Sequence, residues 1–370
     1  MNQVSFKNLF DFQKKSKIKA GDGLLLGEGN YPFYTSSSIL KKSINEFLFD
    51  GNSLIFGTGG QASIHFCDDK FAVSTDCFVT QPKNRDKLFL KYVYYYLSGN
   101  IHILENGFKG AGLKHISKVY ISDITIPLPP LDQQKKIAAI LDAADAYRQK
   151  TKALIEKYDA LTQSLFLDMF GDPVSNSKKL PKIKLGELGK WQSGGTPSRS
   201  NSAYYDGEIP WLSSGELNQM YISDSKEHIT EQAIKESNTK LIAKGSILLG
   251  MYDTAALKSA INTEVLSCNQ AIAYCKLDDR LVNTSFVYNI IQIGKEHYRR
   301  LQRGVRQKNL NLSMVKGIEI LFPPLNLQNQ FADSVQAIET QKAQAKASLA
   351  GAEDLFNSLL QRAFKGELTY

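Results

Sequence analysis

Between positions 295 and 308 stand Lys295, Arg299, Arg300, Arg303, Arg306 and Lys308, with Glu296 as the sole acid among them. They run off a helical pattern into a Gly-containing loop, Arg303–Gly304–Val305–Arg306–Gln307–Lys308–Asn309. An earlier loop has the same character: Lys109–Gly110–Ala111–Gly112–Leu113–Lys114–His115. Lys14, Lys15, Lys17 and Lys19 form a third basic cluster, and Ser193–Gly194–Gly195–Thr196–Pro197–Ser198–Arg199 is a small, polar loop. The chemistry these residues suit is the binding of nucleic acid. Lysine on phosphate adds salt-dependent affinity. Arginine and glutamine reach base edges, and backbone N–H groups of a small-residue loop approach phosphates. A single run of charge is most often hydrated surface. Two similarly placed basic loops argue for a shared use. The nucleic-acid contacts expected on this basis are Lys14, Lys15, Lys17, Lys109, Lys114, His115, Thr196, Ser198, Arg199, Arg299, Arg300, Arg303, Arg306 and Lys308.

Motifs for catalysis are missing. Gly189–Lys190 is followed by Trp191, and Gly294–Lys295 by Glu296, so neither makes a Walker A loop. The Asn-Pro-Pro-aromatic and Asp-Pro-Pro-Tyr tetrapeptides of adenine methyltransferases do not occur. Phe56–Gly57–Thr58–Gly59–Gly60 looks like a nucleotide loop, but its flanks read as the strands of a hairpin, which makes it a turn. Asp68–Asp69–Lys70 reads as a hydrated turn. Cys67, Cys77, Cys268 and Cys275 lack zinc-ligand spacing and read as buried thiols. The five histidines are scattered, and no metal site is expected.

The elements that must hold the basic loops repeat. Leu128–Pro129–Pro130–Leu131 recurs as Phe322–Pro323–Pro324–Leu325, an offset of 194. Gln134 matches Gln328, Ala138 matches Ala332, Leu161 matches Leu355 and Phe170 matches Phe364. Upstream, Tyr31–Pro32–Phe33 aligns with Ile209–Pro210–Trp211, and each is followed by a pair of serines. The order is globular unit, helical segment, globular unit, helical segment. Such a period is too long for a solenoid and indicates tandem duplication.

Each helical segment opens on Pro-Pro, a helix-start signal. In the first, Ile140, Ala144, Tyr147, Thr151, Leu154, Tyr158, Leu161 and Leu165 step by four and three alternately. In the second the stripe is Phe331, Val335, Ile338, Lys342, Ala345, Leu349, Ala352, Phe356, Leu359 and Ala363. This periodicity indicates a coiled-coil seam rather than two core helices of an all-α domain. About 40 residues at ~1.5 Å each make a rod of roughly 60 Å. The globular units read as α+β. Strands are expected near 48–49, 53–56, 64–66, 71–73, 78–79, 246–249 and 271–274, and helices over 89–97 and 284–301. The predicted boundaries are a first domain 1–127, a first helix 128–172, a second domain 173–322 and a second helix 323–370.

Composition fits this organisation. The chain has 370 residues, 42% hydrophobic and 22% charged, which excludes global disorder. No apolar run reaches the ~18–20 residues that span a bilayer. The first twenty residues lack an apolar signal core, and four cysteines are too few for a disulfide framework, so a cytoplasmic location with no membrane contact is expected. Net charge is +8, which favours an acidic partner.

Together these features resemble the DNA-specificity subunit of type I restriction–modification systems. The resemblance is carried by Ile126–Pro127–Leu128–Pro129–Pro130–Leu131–Asp132–Gln133–Gln134 with Ile137–Ala138, and by the second copy, Ile320 to Gln328 with Phe331–Ala332. Lys184–Leu185–Gly186–Glu187–Leu188 and the Ser-Gly-Gly-Thr-Pro loop add to it. It implies two tandem mixed α/β target-recognition domains, joined by two long helices that form an antiparallel, pseudo-two-fold coiled coil. It implies a non-catalytic subunit in which each domain reads half of a split, asymmetric site in double-stranded DNA. Two modification (methyltransferase) subunits would dock on the helices, at Leu131, Gln134, Ile137, Leu325, Gln328 and Phe331. S-adenosylmethionine, ATP and magnesium would sit on those subunits and on restriction (motor–nuclease) subunits, with no cofactor on this chain. The first unit departs from the pattern. Val4–Ser5–Phe6–Lys7–Asn8–Leu9 replaces the usual Leu-Gly-x-Leu opening, and Lys14–Lys15–Ser16–Lys17 stands where the Ser-Gly-Gly-Thr-Pro loop would be. The alternatives are the specificity chain of a fused methyltransferase–nuclease and a coiled-coil scaffold for protein ligands.

Overall fold

The computed structural model describes residues 2–304 and 308–368. It divides into two compact units, residues 1–153 with 346–370, and residues 154–345. Each unit therefore takes a globular part, the start of the long helix that follows it, and the end of the other long helix.

In the first unit a four-stranded antiparallel sheet runs, in spatial order, Phe10–Phe12, Cys77–Pro82, Ser53–Gly57 and Ile64–Cys67. Ser53–Gly57 is buried throughout, as a central strand with both faces covered should be. Gly57–Thr58–Gly59–Gly60 begins the turn of the hairpin between Ser53–Gly57 and Ile64–Cys67, as expected. In a second sheet Tyr31–Tyr34 runs parallel to Lys70–Val73, with Phe33 opposite Ala72. Asn2–Ser5 pairs with Thr125–Leu128, which brings the start of the unit to the foot of the long helix. The core gathers Phe6, Phe10, Phe56, Tyr92, Leu97, Ile121 and Ile126 with Ile137 and Leu141 of one long helix and Leu360 and Ala363 of the other.

The second unit is built in the same order. Its main sheet runs Gln192–Ser193, Ile272–Cys275, Ile247–Gly250, Ser259–Asn262 and Tyr221–Ile222. Ile209–Leu212 is parallel to Ser267–Cys268, with Trp211 opposite Ser267. Lys182–Lys184 pairs with Glu319–Leu321. Here Trp191, Ile247, Leu249, Phe286 and Val315 pack with Phe166, Phe170, Phe331 and Val335 from the long helices. Phe331 lies 5.5 Å from both Phe166 and Phe170, ring centre to ring centre, and Lys342 is ion-paired with Asp159. These contacts run in opposite chain directions, so the two helix segments in this unit are antiparallel. Phe331 and Val335 take the places that Ile137 and Leu141 take in the first unit, at the repeat offset.

The long helices are Leu131–Phe170 and Leu325–Lys365. Gly171 and Gly366 follow their ends with φ of +75° and +83°, the left-handed C-cap that glycine adopts without penalty. The expected helix over 284–301 is interrupted. Thr284–Ile293 stops at Gly294, and Lys295–Tyr298 restarts it. A Cβ on Gly294 would sit 2.5 Å from the Tyr298 ring, so the close approach of that tyrosine demands glycine at the break.

Two expectations need correction. In the second helix the residues Phe331, Val335, Ala345, Ala352, Phe356 and Ala363 are buried as read. In the first helix Ile140, Tyr147, Leu154 and Leu161, half of the expected seam, are exposed. The inward face keeps Ala144, Thr151 and Leu165 of that stripe, adds Leu141, Arg148 and Phe166 beside it, and includes polar residues. Thr151 donates its hydroxyl to the Tyr147 carbonyl at 2.9 Å. Arg148 pairs with Asp145 at 2.5 Å and lies 4.4 Å from the Phe356 ring centre. Local hydrogen bonds and an i,i+3 ion pair let polar side chains occupy an inward face that an apolar pattern excludes.

The second correction concerns docking. Gln134, Ile137, Gln328 and Phe331 are almost completely buried in this chain. Gln134 accepts from the Phe89 N–H at 2.9 Å and donates to the carbonyls of Pro129 and Lys87 at 2.8 and 3.2 Å. Gln328 accepts from the Asn283 N–H at 3.0 Å and donates to the Pro323 carbonyl at 2.8 Å. These glutamines satisfy backbone groups at the entrance of each long helix and tie it to its own unit. With their polar groups spent internally they offer no partner surface. Leu131 and Leu325 remain partly exposed.

Candidate nucleic-acid interface

The Arg/Lys loops sit at one end of each main sheet, and each is held by a hub turn. In the first unit the hub is the turn 74–76. Ser74 N–H donates to Tyr34 O at 2.8 Å, Thr75 N–H to Ile18 O at 2.8 Å, and Asp76 O accepts from Thr58 N–H at 2.9 Å. It thus gathers the lysine segment 14–19, the serine loop after Tyr31–Tyr34, and the turn after the central strand. The loop 109–115 is closed by two reciprocal backbone bonds between Lys109 and His115, both 3.0 Å. His115 Nδ1 lies 3.0 Å from Thr58 O, which fixes the ring as a donor there, and Ile116 N–H reaches the same oxygen at 3.1 Å. Gly59 lies under the His115 ring, where a Cβ would come within 3.0 Å of Cε1. Lys14, Lys15, Lys17, Lys109 and Lys114 are exposed around this frame.

The second unit repeats the arrangement with different chemistry. Its hub is the turn 268–271. Asn269 N–H donates to Leu212 O at 2.9 Å, Met251 N–H to Ala271 O at 2.8 Å, and Gly195 N–H to Cys268 O at 3.0 Å. Thr196 donates its hydroxyl to Gln270 Oε1. The loop 303–309 is closed by reciprocal bonds of 2.9 and 2.8 Å between Arg303 and Asn309, and Leu310 N–H docks it on Met251 O at 2.7 Å. Arg300, Arg303 and Lys308 are exposed and lie outside every ion pair among the described residues. Arg306 lies outside the described residues. Arg299 is partly buried and reaches Glu296 at 3.4 Å.

Arg199 is engaged otherwise. Its fork makes two bonds to Glu227, 2.8 and 2.7 Å, and it lies 4.3 Å from the Tyr205 ring and 5.0 Å from Trp211. That bidentate bond holds the Glu227 carboxyl below its usual range and pushes the guanidinium up. Its neighbour Ser198 bonds Ser200 at 2.7 Å. Arg199 braces this loop and presents no free fork.

Sequence reading missed the serine loop 35–38 of the first unit. Ser63 donates to Ser36 O at 3.0 Å, and His65 Nε2 donates to Ser37 O at 2.8 Å, its pKa lowered by burial. The pair of serines after each aligned strand was the available signal.

The two frames belong together, because the same strand ends carry the same loops, the hub turn and basic loop at an offset of 194. A model of the type I restriction modification DNA specificity domain matches residues 1–157 and 178–349, one copy over each repeat. The chain belongs to that specificity family. Members of this family are DNA-recognition components rather than catalysts. The chain is 25% identical over 272 residues to the Escherichia coli EcoR124I/EcoR124II specificity subunit, covering 69% of this chain and 64% of that one. It is 25% identical over 396 aligned positions to the E. coli EcoDI specificity subunit, covering 92% and 83%. In fold it is similar to the type-I restriction-modification S subunit of M. genitalium, with a TM-score of 0.66 at 17% identity over 98% of this chain and 95% of that one. Among the described residues no helix is long and apolar enough to cross a membrane.

Proposed function

We propose that the chain is the sequence-reading subunit of a type I restriction–modification complex, with each unit reading one half of a split, asymmetric site in double-stranded DNA. One observation carries this reading: two copies of one loop frame, each presenting cations at a sheet end, with different side chains in each copy. Lys109, Lys114 and His115 stand where Arg303, Lys308 and Asn309 stand in the second unit, so the half-sites should differ. Lysines and arginines on phosphate would supply affinity, and loop side chains in the major groove would supply sequence.

Two modification subunits would dock on the long helices. Ile140, Tyr147, Leu154 and Leu161, exposed and seven residues apart, are the apolar surface that supports this. S-adenosylmethionine would sit on those subunits, and ATP and magnesium on restriction subunits.

Co-expression with the neighbouring modification subunit in a methylation-free host tests the reading, with N6-methyladenine mapped by single-molecule sequencing. A split motif with a fixed gap is expected. A stable complex that methylates nothing would overturn it.

A further inference from the structure

The two loop frames differ most in the turn that leads into the basic loop. Positions 295–308 hold six Lys or Arg and one Glu, whereas the equivalent 101–114 hold two Lys and one Glu. Lys295 and Arg299 correspond to Ile101 and Glu105. A further lysine joins them from a distant part of the sequence. Lys258 lies opposite Gly250 just before the strand Ser259–Asn262, at the place Ile64 holds opposite Phe56 in the first unit. It follows Leu257, whose φ of +59° is the left-handed region that a branched, bulky residue rarely adopts. The Leu257 side chain is fully buried, and its carbonyl accepts from Gln292 Nε2 at 3.1 Å. That bond ties the turn to the end of helix Thr284–Ile293, next to Lys295. Backbone strain of this kind persists where the surroundings over-determine it. Here it aims a lysine at a cationic cluster rather than away from it.

The cluster is poorly compensated. Among the described side chains Lys258 Nζ finds only the neutral Asn218 Oδ1, at 2.8 Å. Among the described residues Glu296 is the one acid paired within it, at 3.4 Å from Arg299, and the Arg299 Nε is buried without a hydrogen-bond partner. Burial, then the charges of Arg299 and Lys258, lower the Lys295 pKa, and Glu296 only partly opposes them. The same turn touches the basic loop on its other side, since Tyr252 bridges to Asn309.

We propose that Lys258, Lys295 and Arg299 form a phosphodiester clamp that belongs to the second unit alone, gripping the DNA backbone without reading bases. The inference rests on the DNA-reading function proposed above. It gives the second unit phosphate contacts, beyond those of its basic loop, that the first lacks with Ile64, Ile101 and Glu105 at these places.

The test uses the full chain in complex with its modification subunits, titrated with its methylated-motif duplex and a random duplex between 50 and 200 mM KCl. Lys258→Gln and Lys295→Gln should each flatten the plot of log K against log salt by about 0.9, a loss of about five-fold in affinity near 0.15 M salt. The loss should be equal for both duplexes, and the methylated motif should not change. Lys258→Arg should keep the wild-type slope, which separates charge from folding. An unchanged slope in both Gln variants, or a loss confined to the motif duplex, would overturn the clamp. If the wild-type complex binds neither duplex, the DNA-reading function itself fails and the clamp falls with it.

Discussion

At the scale of single residues, the two glutamines at the helix entrances do the most for the fold. Each closes backbone groups that would otherwise be buried unpaired, at a cost of about 1–3 kcal/mol per group. Gln328→Leu should therefore destabilise the second unit by about 2–3 kcal/mol. Tryptophan fluorescence in a urea titration reads this directly, because both tryptophans, Trp191 and Trp211, lie in that unit. Gln134→Leu should leave the fluorescence transition in place and instead loosen amide protection around Phe89 and Pro129. The Arg199–Glu227 fork belongs at this scale too. Glu227 has its pKa depressed in the fold, so the pair stabilises above the unfolded carboxylate value of 4.5 and fades as pH falls through the lower folded value. Both groups are about half exposed, which limits the contribution to about 1 kcal/mol or less. Glu227→Gln should melt below wild type at pH 7, and the two should converge as the pH drops below 4. A difference that grows in acid would contradict this assignment. The equivalence of Gln134 and Gln328 was legible in the sequence as an identity at the repeat offset. Their role was not, because an exposed and a buried glutamine look alike until the loops before Phe89 and Asn283 are folded against them.

At the scale of elements, the long helices carry two kinds of apolar residue. One kind faces inward, and the other, Ile140, Leu154 and Leu161, faces solvent, with Tyr147 exposed beside them while its hydroxyl bonds Ser348 at 2.7 Å. Leu154→Glu with Leu161→Glu should leave stability within about 0.5 kcal/mol, as exposed substitutions usually do. It should also abolish co-purification with the modification subunits. A variant that still assembles would remove this face from the docking surface. Under the proposed function, helix length sets the spacing between half-sites. One extra turn in both long helices, about 6 Å, should lengthen the unread gap in the methylated motif by about two base pairs. The two long helices and the apolar central strands were legible because Pro-Pro starts, glycine stops and apolar runs are local signals, whereas strands such as Asn2–Ser5, Ile209–Leu212 and Ser259–Asn262 were not. The inward face of the first helix was not. Its polar members Asp145 and Arg148 are admitted by an ion pair and an aromatic ring that no periodicity announces, whereas Thr151 lay on the expected stripe. The position of Lys258 beside the 295–303 turn was likewise out of reach, because only a buried, strained Leu257 and a bond from Gln292 bring it there.

At the scale of the whole molecule, duplication explains the architecture and divergence explains the use. Each unit keeps the frame of hub turn, central strand and closed basic loop, while the exposed side chains differ. The frame was visible in the sequence only as paired segments at an offset of 194. What the loops touch depends on long-range backbone bonds such as Ile116 to Thr58 and Leu310 to Met251. The central claim is that the two units are separate readers of one split DNA site. It is tested most directly by mapping N6-methyladenine in cells that express the full complex with loop variants of one unit at a time. Lys109→Ala with Lys114→Ala should weaken or relax one half of the motif and leave the other half and the gap intact. Arg303→Ala with Lys308→Ala should do the reverse. Loss or relaxation of both halves together by either folded variant would contradict the claim.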